Sequence, residues 1–299
     1  MKLLIAGSNG MVGSAVTRHL TACGHQVSRL VRRAARPGEL EWQPDAGRID
    51  AAGLEGFDGV VHLATLPWPM RWTAQAKQKI RANRLVTNGL LAETLARCAR
   101  RPRVLVCASG MGYYPSSGDA ALTETSPAGT RFLSQVQQAG EAATAPASAA
   151  GIRVVNLRMP PVLGGRALKQ VGFWAGDGQQ WASWVGRDEL ASMIEFALTA
   201  ETLAGAVNAV SPNPLRSAEF AARSARALGA KPGSAMPTFL VRLIMGEMGE
   251  EFILSSRRLH PTKLLAAGYP FRFPELEAAL RHELENSEKE LLVQKRRNL

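Results

Sequence analysis

Apolar and polar positions fall into alternating blocks along the first half of the chain. Lys2-Leu3-Leu4-Ile5-Ala6 is a short apolar run, the pattern of a strand covered on both faces. Gly7-Ser8-Asn9-Gly10-Met11-Val12-Gly13 follows at once, and an amphipathic stretch marked by Val16 and Leu20 then runs to Cys23-Gly24. Gln26 to Val31 predicts a second strand and Asp58 to Ala64 a third. Arg103 to Cys107 predicts a fourth, ending at Ala108-Ser109-Gly110, and Ile152 to Leu157 a fifth. Thr73 to Cys98, and a stretch from about Thr130 to Ala150, have helical spacing. This βαβ alternation predicts an α/β chain with a Rossmann-type doubly wound parallel sheet. From Met159 the texture changes to short elements rich in Gly, Pro and Trp. The expected division is a dinucleotide-binding domain over 1–158 and, over 159–299, mainly a small C-terminal substrate lobe that returns to the sheet near 207–210.

The order strand, three glycines, helix gives Gly7-x-x-Gly10-x-x-Gly13 its meaning. The turn must be tight, the backbone must approach a pyrophosphate closely, and the helix must lie against the strand. Free amides at the helix N-terminus then face the negative charge. In other settings a glycine-rich turn merely opens an α/β unit; the strand before and the helix after favour the dinucleotide.

With 299 residues, of which 46% are hydrophobic, the chain is long enough for a full sheet and a smaller lobe. No apolar run reaches membrane-spanning length, and the opening run ends in the glycine loop rather than at a cleavage site. Three cysteines, Cys23, Cys98 and Cys107, form an odd set without metal spacing. They read as reduced packing residues of a cytoplasmic protein, with no metal expected. The net charge of +11 comes from scattered arginines, with dense clusters at Arg32-Arg33, Arg100-Arg101 and Lys295-Arg296-Arg297. Neither a basic strip with interleaved aromatics nor a helix-turn-helix or zinc-finger pattern accompanies them, so an anionic small molecule is expected rather than nucleic acid. An NAD site usually places Asp or Glu roughly 20 residues past the glycine loop. Arg32-Arg33 stand there instead, and a guanidinium attracts a 2′-phosphate, which points to NADP(H); two surface arginines at a strand end are the alternative.

Gly7-x-x-Gly10-x-x-Gly13, Asp58 to Ala64, Asn83-x-x-x-Thr87 and Arg158-x-x-x-Val162-Leu163-Gly164 resemble the extended short-chain dehydrogenase/reductases. Ala108-Ser109-Gly110-Met111-Gly112-Tyr113-Tyr114, Gln180-Trp181-Ala182-Ser183-Trp184-Val185 and Leu264-Leu265-Ala266-Ala267-Gly268-Tyr269 resemble that group's atypical epimerase-family branch. The likeness runs from Met1 to about Leu280. It implies cofactor contacts at Gly7, Gly10, Met11, Val12, Gly13, Arg32, Leu63 and Ala64. It also puts Arg84 near the cofactor, a helix-surface arginine being the other use. A small-molecule substrate is implied, a sugar nucleotide or another carbonyl or hydroxyl compound, as is a homodimer built on the long helices.

Ser109 occupies the place of the superfamily's catalytic hydroxyl, where a serine either bonds the substrate oxygen or simply bonds backbone. The superfamily's Tyr-x-x-x-Lys occurs nowhere in this chain. Aligned on Glu141, its tyrosine place falls on Leu133 and its lysine place on Gln137. Tyr113 is the candidate proton donor, although Tyr113 and Tyr114 also suit packing. Glu141 reads as a solvated helix glutamate, the alternative being an acid/base if it faces the cleft; His62 reads as a core histidine and Asp188 as structural. Trp174, Trp181 and Trp184 either flank a planar or sugar substrate or fill the lobe's core. The resulting expectation is an oxidoreductase or epimerase-like protein, with a non-catalytic NADP(H) sensor as the alternative.

Overall fold

The computed structural model describes residues 1–66, 71–165, 168, 172–231 and 233–297, with side chains as far as Ser287; the side chains of Lys295, Arg296 and Arg297 lie outside the described residues. The first half runs β1 (Lys2–Ala6), α1 (Met11–Ala22), β2 (Gln26–Val31), β3 (Glu39–Gln43), β4 (Arg48–Ile49), β5 (Gly59–His62), α2 (Ala74–Arg97), β6 (Val104–Gly110), β7 (Ala121–Leu122), α3 (Phe132–Ala142), α4 (Ala145–Ala149) and β8 (Arg153–Met159). The second half continues with β9 (Val162–Leu163), β10 (Trp174–Ala175), β11 (Trp181–Ala182), β12 (Val185–Gly186), α5 (Arg187–Thr199) and β13 (Gly205–Asn208). It ends with β14 (Leu215–Arg216), α6 (Ser217–Ala227), β15 (Ala235–Met236), α7 (Thr238–Met245), α8 (Glu247–Phe252), β16 (Arg258–Leu259), α9 (Thr262–Ala266) and α10 (Leu276–Arg297).

The main sheet has the order β13-β8-β6-β5-β1-β2-β3-β4 and is parallel up to β3, with β4 antiparallel at the edge. Strand order reverses between β1 and β5, so the loops after these two strands diverge and leave a crevice at their carboxyl ends. Each central strand serves two cores because successive side chains point to opposite faces. Leu3 and Ile5 of β1 join Val16 and Leu20 of α1 and Ile194 of α5 on one face. Leu4 and Ala6 join Leu91 and Leu95 of α2 on the other. That is why the strands read as unbroken apolar runs.

Two elements differ from expectation. The stretch expected as one helix is split into α3 and α4, because Pro146 lacks an N–H and sits in the first turn of α4, where none is needed. Thr144 Oγ1 donates to the Glu141 carbonyl at 2.7 Å across the break. Also, Glu39–Gln43 forms a strand that the sequence reading left out; its Trp42 is buried and Leu40 partly buried in the core that Leu4 and Ala6 share.

Thr73 caps α2 by accepting from Ala76 N at 3.2 Å. The chain re-enters the sheet layer at α5, which packs with α1, and at β13, which pairs with β8. The remaining C-terminal elements make short two-stranded pairs and a separate core around Trp184, Leu163 and Leu280. No helix among the described residues is long and apolar enough to cross a membrane.

Candidate functional site

A cleft of about 630 Å³ opens where β1 and β5 end. Gly7, Gly10, Met11, Val12 and Gly13 line it from the β1–α1 loop. Leu63 and Ala64 line it from the end of β5, and Arg32 and Arg33 from the end of β2.

The three glycines do different work. Gly7 has φ of 85°, and a Cβ there would lie 2.6 Å from Ala64 N. A Cβ on Gly13 would overlap the Gly7 carbonyl oxygen. Both glycines are therefore demanded by the fold itself. Gly10 is different: its φ of −73° suits any residue, and a Cβ would meet only Gly7 O at 3.5 Å. The space over Gly10 is open toward the cleft. α1 begins there with no side-chain cap and no acidic residue in its first turn, so its amides and positive dipole end face that space.

The arginines also separate. Arg33 is tied down, donating to Glu39 Oε1 at 2.7 Å and to Ala34 O at 2.8 Å. Arg32 makes no ion pair among the described residues and lies over the Trp42 ring at 5.9 Å. Arg84 is not a surface arginine. It is buried beneath Gly140 of α3 and donates from Nη1 to Ala108 O at 3.1 Å, behind the end of β6. Burial pulls its pKa down from the ordinary arginine value.

At the carboxyl ends of β6 and β8, register makes Ser109 the partner of Arg158. Glu141 reaches both from α3. Ser109 Oγ donates to Glu141 Oε1 at 2.6 Å. Arg158 grips the same carboxylate in a fork, Nε to Oε1 at 2.9 Å and Nη2 to Oε2 at 2.8 Å. Its remaining nitrogen, Nη1, donates to the Tyr114 hydroxyl at 2.9 Å and to Glu124 O at 3.4 Å, and its plane lies 3.3 Å from the centroid of the Tyr113 ring. Burial works against the Arg158 charge, but the Glu141 carboxylate outweighs it and holds the guanidinium above its ordinary range. The Tyr114 phenol donates to Asn208 Oδ1 at 2.7 Å, and burial pushes its pKa up to about 12, so it stays protonated at neutral pH. Tyr113 is partly exposed, and its hydroxyl makes no hydrogen bond among the described residues.

Glu141 is thus not a solvated helix glutamate: its side chain is 14% exposed and engaged by two partners. From the sequence, Glu141 enters only as the alternative acid/base and Arg158 only as a motif letter. A signal was present. Leu133, Gln137 and Glu141 stand at i, i+4 and i+8, on one face of α3. Leu133 is buried among Trp72, Val136 and Met248, and Gln137 is buried with Oε1 3.4 Å from Ser109 Oγ. His62 is enclosed beside Trp42, and burial lowers its pKa to about 3, which leaves it neutral. Asp188 accepts from Asn286 at 2.7 Å and lies 3.1 Å from His282 Nε2, bracing α10.

A second, mostly apolar cavity of about 370 Å³ lies between the sheet end and the lobe. Met111, Leu163, Trp174, Trp181 and Phe252 are among the residues that line it. Trp184 also borders it, but that ring is fully buried in the lobe core.

A doubly wound sheet with a glycine loop at its switch point defines the class of NAD(P)-binding α/β proteins. The comparisons agree. Residues 3–209 match the model of the NAD dependent epimerase/dehydratase family, and residues 236–283 match a domain of unknown function, DUF1731. The chain belongs to the NAD dependent epimerase/dehydratase family, in the epimerase-family branch of the extended short-chain dehydrogenase/reductases. It is 36% identical to an epimerase family protein of Mycobacterium bovis, over 92% of this chain and 95% of that one. It superposes on the crystal structure of human epimerase family protein SDR39U1 with NADPH with a TM-score of 0.83, at 30% identity, over 96% of this chain and all (100%) of that one. Against the nucleoside-diphosphate sugar epimerase of Corynebacterium glutamicum the TM-score is 0.80 at 34% identity, over 95% of this chain and 58% of that one.

Proposed function

We propose that this chain binds NADP(H) in the switch-point cleft and acts on a hydroxyl or carbonyl carbon of a small-molecule substrate, as an oxidoreductase or epimerase. The open backbone over Gly10 and the uncapped amides of α1 fit a pyrophosphate. Arg32 at the cleft wall, without a carboxylate partner among the described residues, fits the phosphoryl group that distinguishes NADP(H) from NAD(H). The human relative's structure with NADPH supports the same cofactor.

When bound, the dinucleotide supplies the hydride acceptor or donor. The chain's own task is the proton. Ser109 Oγ already donates to Glu141, so its lone pairs are available to a substrate hydroxyl. As that hydroxyl gives its proton to Ser109, the serine's own proton passes to Glu141; the serine is regenerated and one proton rests on the carboxylate. Arg158 holds both carboxylate oxygens and so aims the acceptor at Ser109. In the reverse direction the same pair delivers a proton to a carbonyl oxygen, with Tyr113 as the alternative donor. The Ser109–Glu141–Arg158 line is the observation that carries this reading. A nucleoside-diphosphate sugar is the favoured substrate class, supported by the Corynebacterium relative and by the Trp174 and Trp181 faces lining the second cavity.

A second reading, a non-catalytic NADP(H)-responsive protein, is favoured by one observation. The superfamily's tyrosine and lysine places hold Leu133, locked in an apolar cluster, and Gln137, which cannot lower a phenol pKa. Two measurements decide. Titration with NADPH and NADH gives a preference for NADPH that Arg32→Ala abolishes and Arg33→Ala leaves; equal affinities of the unaltered protein refute the arginine assignment. A carbonyl and sugar-nucleotide screen following nicotinamide absorbance then finds turnover that Ser109→Ala and Glu141→Gln both suppress. No turnover leaves the sensor reading, and turnover undiminished in both variants removes the relay.

A further inference from the structure

At the far end of α1 from the glycine loop, three side chains with metal-binding atoms converge. His19 lies on the last turn of α1, Cys23 four residues on caps the helix C-terminus, and Glu195 reaches them from α5. His19 Nε2 lies 2.6 Å from Glu195 Oε2, and Cys23 Sγ lies 3.8 Å from His19 Nε2. All three ligand atoms lie within 4.8 Å of one another. Tetrahedral Zn²⁺ with bonds of about 2.0–2.3 Å sets its donor atoms roughly 3.3–3.6 Å apart. Drawing the carboxylate back from the imidazole and the thiol in toward both would bring the donors to that spacing.

The surroundings hold this tripod in place. Val16 and Leu20 of α1 share one core with Leu190, Ala191 and Ile194 of α5, so the helices that carry the donors are packed together. Gly24, with φ of 81°, turns the chain back so that His25 Nε2 comes 3.4 Å from Glu195 Oε1. A histidine bonded to the carboxylate's other oxygen is the kind of outer-shell partner that orients a ligand. His19 and Glu195 are half-buried, with side chains 22% and 27% exposed, and Cys23 is exposed. Cys23 is therefore not the packing residue the sequence suggested, and its surface faces water that can complete the coordination.

We propose that His19, Cys23 and Glu195 form a site for a divalent transition-metal ion of the zinc class, with water in the fourth position. Imidazole, thiolate and carboxylate together suit Zn²⁺ and not the oxygen-seeking Mg²⁺ or Ca²⁺. The ion would clamp α1 to α5 at the opposite end of α1 from the cofactor cleft. Twelve residues at 1.5 Å each separate the two by about 18 Å, so the site stands apart from the chemistry proposed above.

The test uses the full, untagged, reduced chain after treatment with a chelator. Dialysis against Zn²⁺ is expected to leave one ion per chain. Co²⁺ is expected to give the intense visible bands of a low-coordinate site together with a thiolate-to-cobalt charge-transfer band in the near ultraviolet. Cys23→Ser removes that band, and Cys23→Ser and His19→Gln each weaken Zn²⁺ binding by at least the ~100-fold that loss of an outer-shell partner can cost. Far-ultraviolet circular dichroism checks that both variants are folded, and Glu195→Gln provides a third reading from the other helix. Failure to retain Zn²⁺ overturns the proposal. So does Zn²⁺ binding, or a charge-transfer band, that survives unchanged in folded Cys23→Ser.

Discussion

Replacing Gly10 with alanine separates a glycine kept for a ligand from one kept for the fold, and Gly13 is its internal control. At Gly10 the backbone already has dihedrals open to alanine, and the new methyl meets one oxygen at 3.5 Å, an ordinary contact. The folding cost is that of alanine at a helix N-cap, about 0.5–1 kcal/mol, or no more than about 4 °C in Tm. Toward the cleft the same methyl occupies the surface on which a pyrophosphate would rest. Losing one amide hydrogen bond to a charged oxygen costs about 1.5–3 kcal/mol, which is roughly a 10- to 100-fold rise in the Kd for NADPH. At Gly13 the methyl collides with the backbone of Gly7, which no rotamer change relieves. A cost of ~3 kcal/mol or more follows, with a large drop in Tm or failure to fold. Thermal melts and NADPH titrations by calorimetry read both quantities. If Gly10→Ala binds NADPH as tightly as the unaltered chain, the amides of α1 do not hold the pyrophosphate and the reasoning fails.

Further outcomes follow from the strand-end network and from α10. Glu141→Gln leaves the Arg158 guanidinium without its counter-charge in a site where that side chain is 4% exposed, so stability should fall by about 3 kcal/mol. Adding Arg158→Gln should cost at least ~1 kcal/mol less than the sum of the two single changes; strict additivity in chemical denaturation would mean that the pair is not coupled. Burial, aided by the like charge of Asp188, raises the Glu283 pKa to about 7 from an ordinary value of 4.5. The folded state then binds more protons than the unfolded state between these values, so stability contributed by Glu283 is full below about pH 4.5 and is lost as pH rises toward 7. The advantage of the unaltered chain over Glu283→Gln should shrink by up to about 2.5 kcal/mol from pH 5 to 8. A gap that widens over that range would show the sign to be wrong.

The elements that could be read from the chain were those whose neighbours are close in sequence. β1, β2 and α2 follow from local patterning along the chain, which needs no knowledge of the sheet order. β3 was overlooked although Leu40 and Trp42 alternate with Glu39, Glu41 and Gln43, because its arginine-rich approach reads as loop. The cleft residues from Gly7 to Gly13 were legible because they are neighbours in one loop, whereas Arg32, Leu63 and Ala64 reach the cleft from the ends of β2 and β5. The Glu141–Arg158 pair was not. It exists because β8 lies beside β6 in a register that sets Arg158 against Ser109, and no local pattern states that register. The His19–Glu195 contact spans 176 positions, so spacing along α1 alone could show only two of its three donors.

Just beyond the ends of β1 and β5 the backbones pass so closely that a Cβ on Gly7 would lie 2.6 Å from Ala64 N. A side chain at Gly7 would push these two backbones apart at the centre of the sheet. The end of β2 carries no such constraint, since Arg32 and Arg33 stand on the surface and only Arg33 is tied, to Glu39 and to the Ala34 carbonyl. Retuning this scaffold toward another dinucleotide, by drift or by engineering, should therefore proceed through Arg32 and leave the Gly7–Ala64 contact untouched.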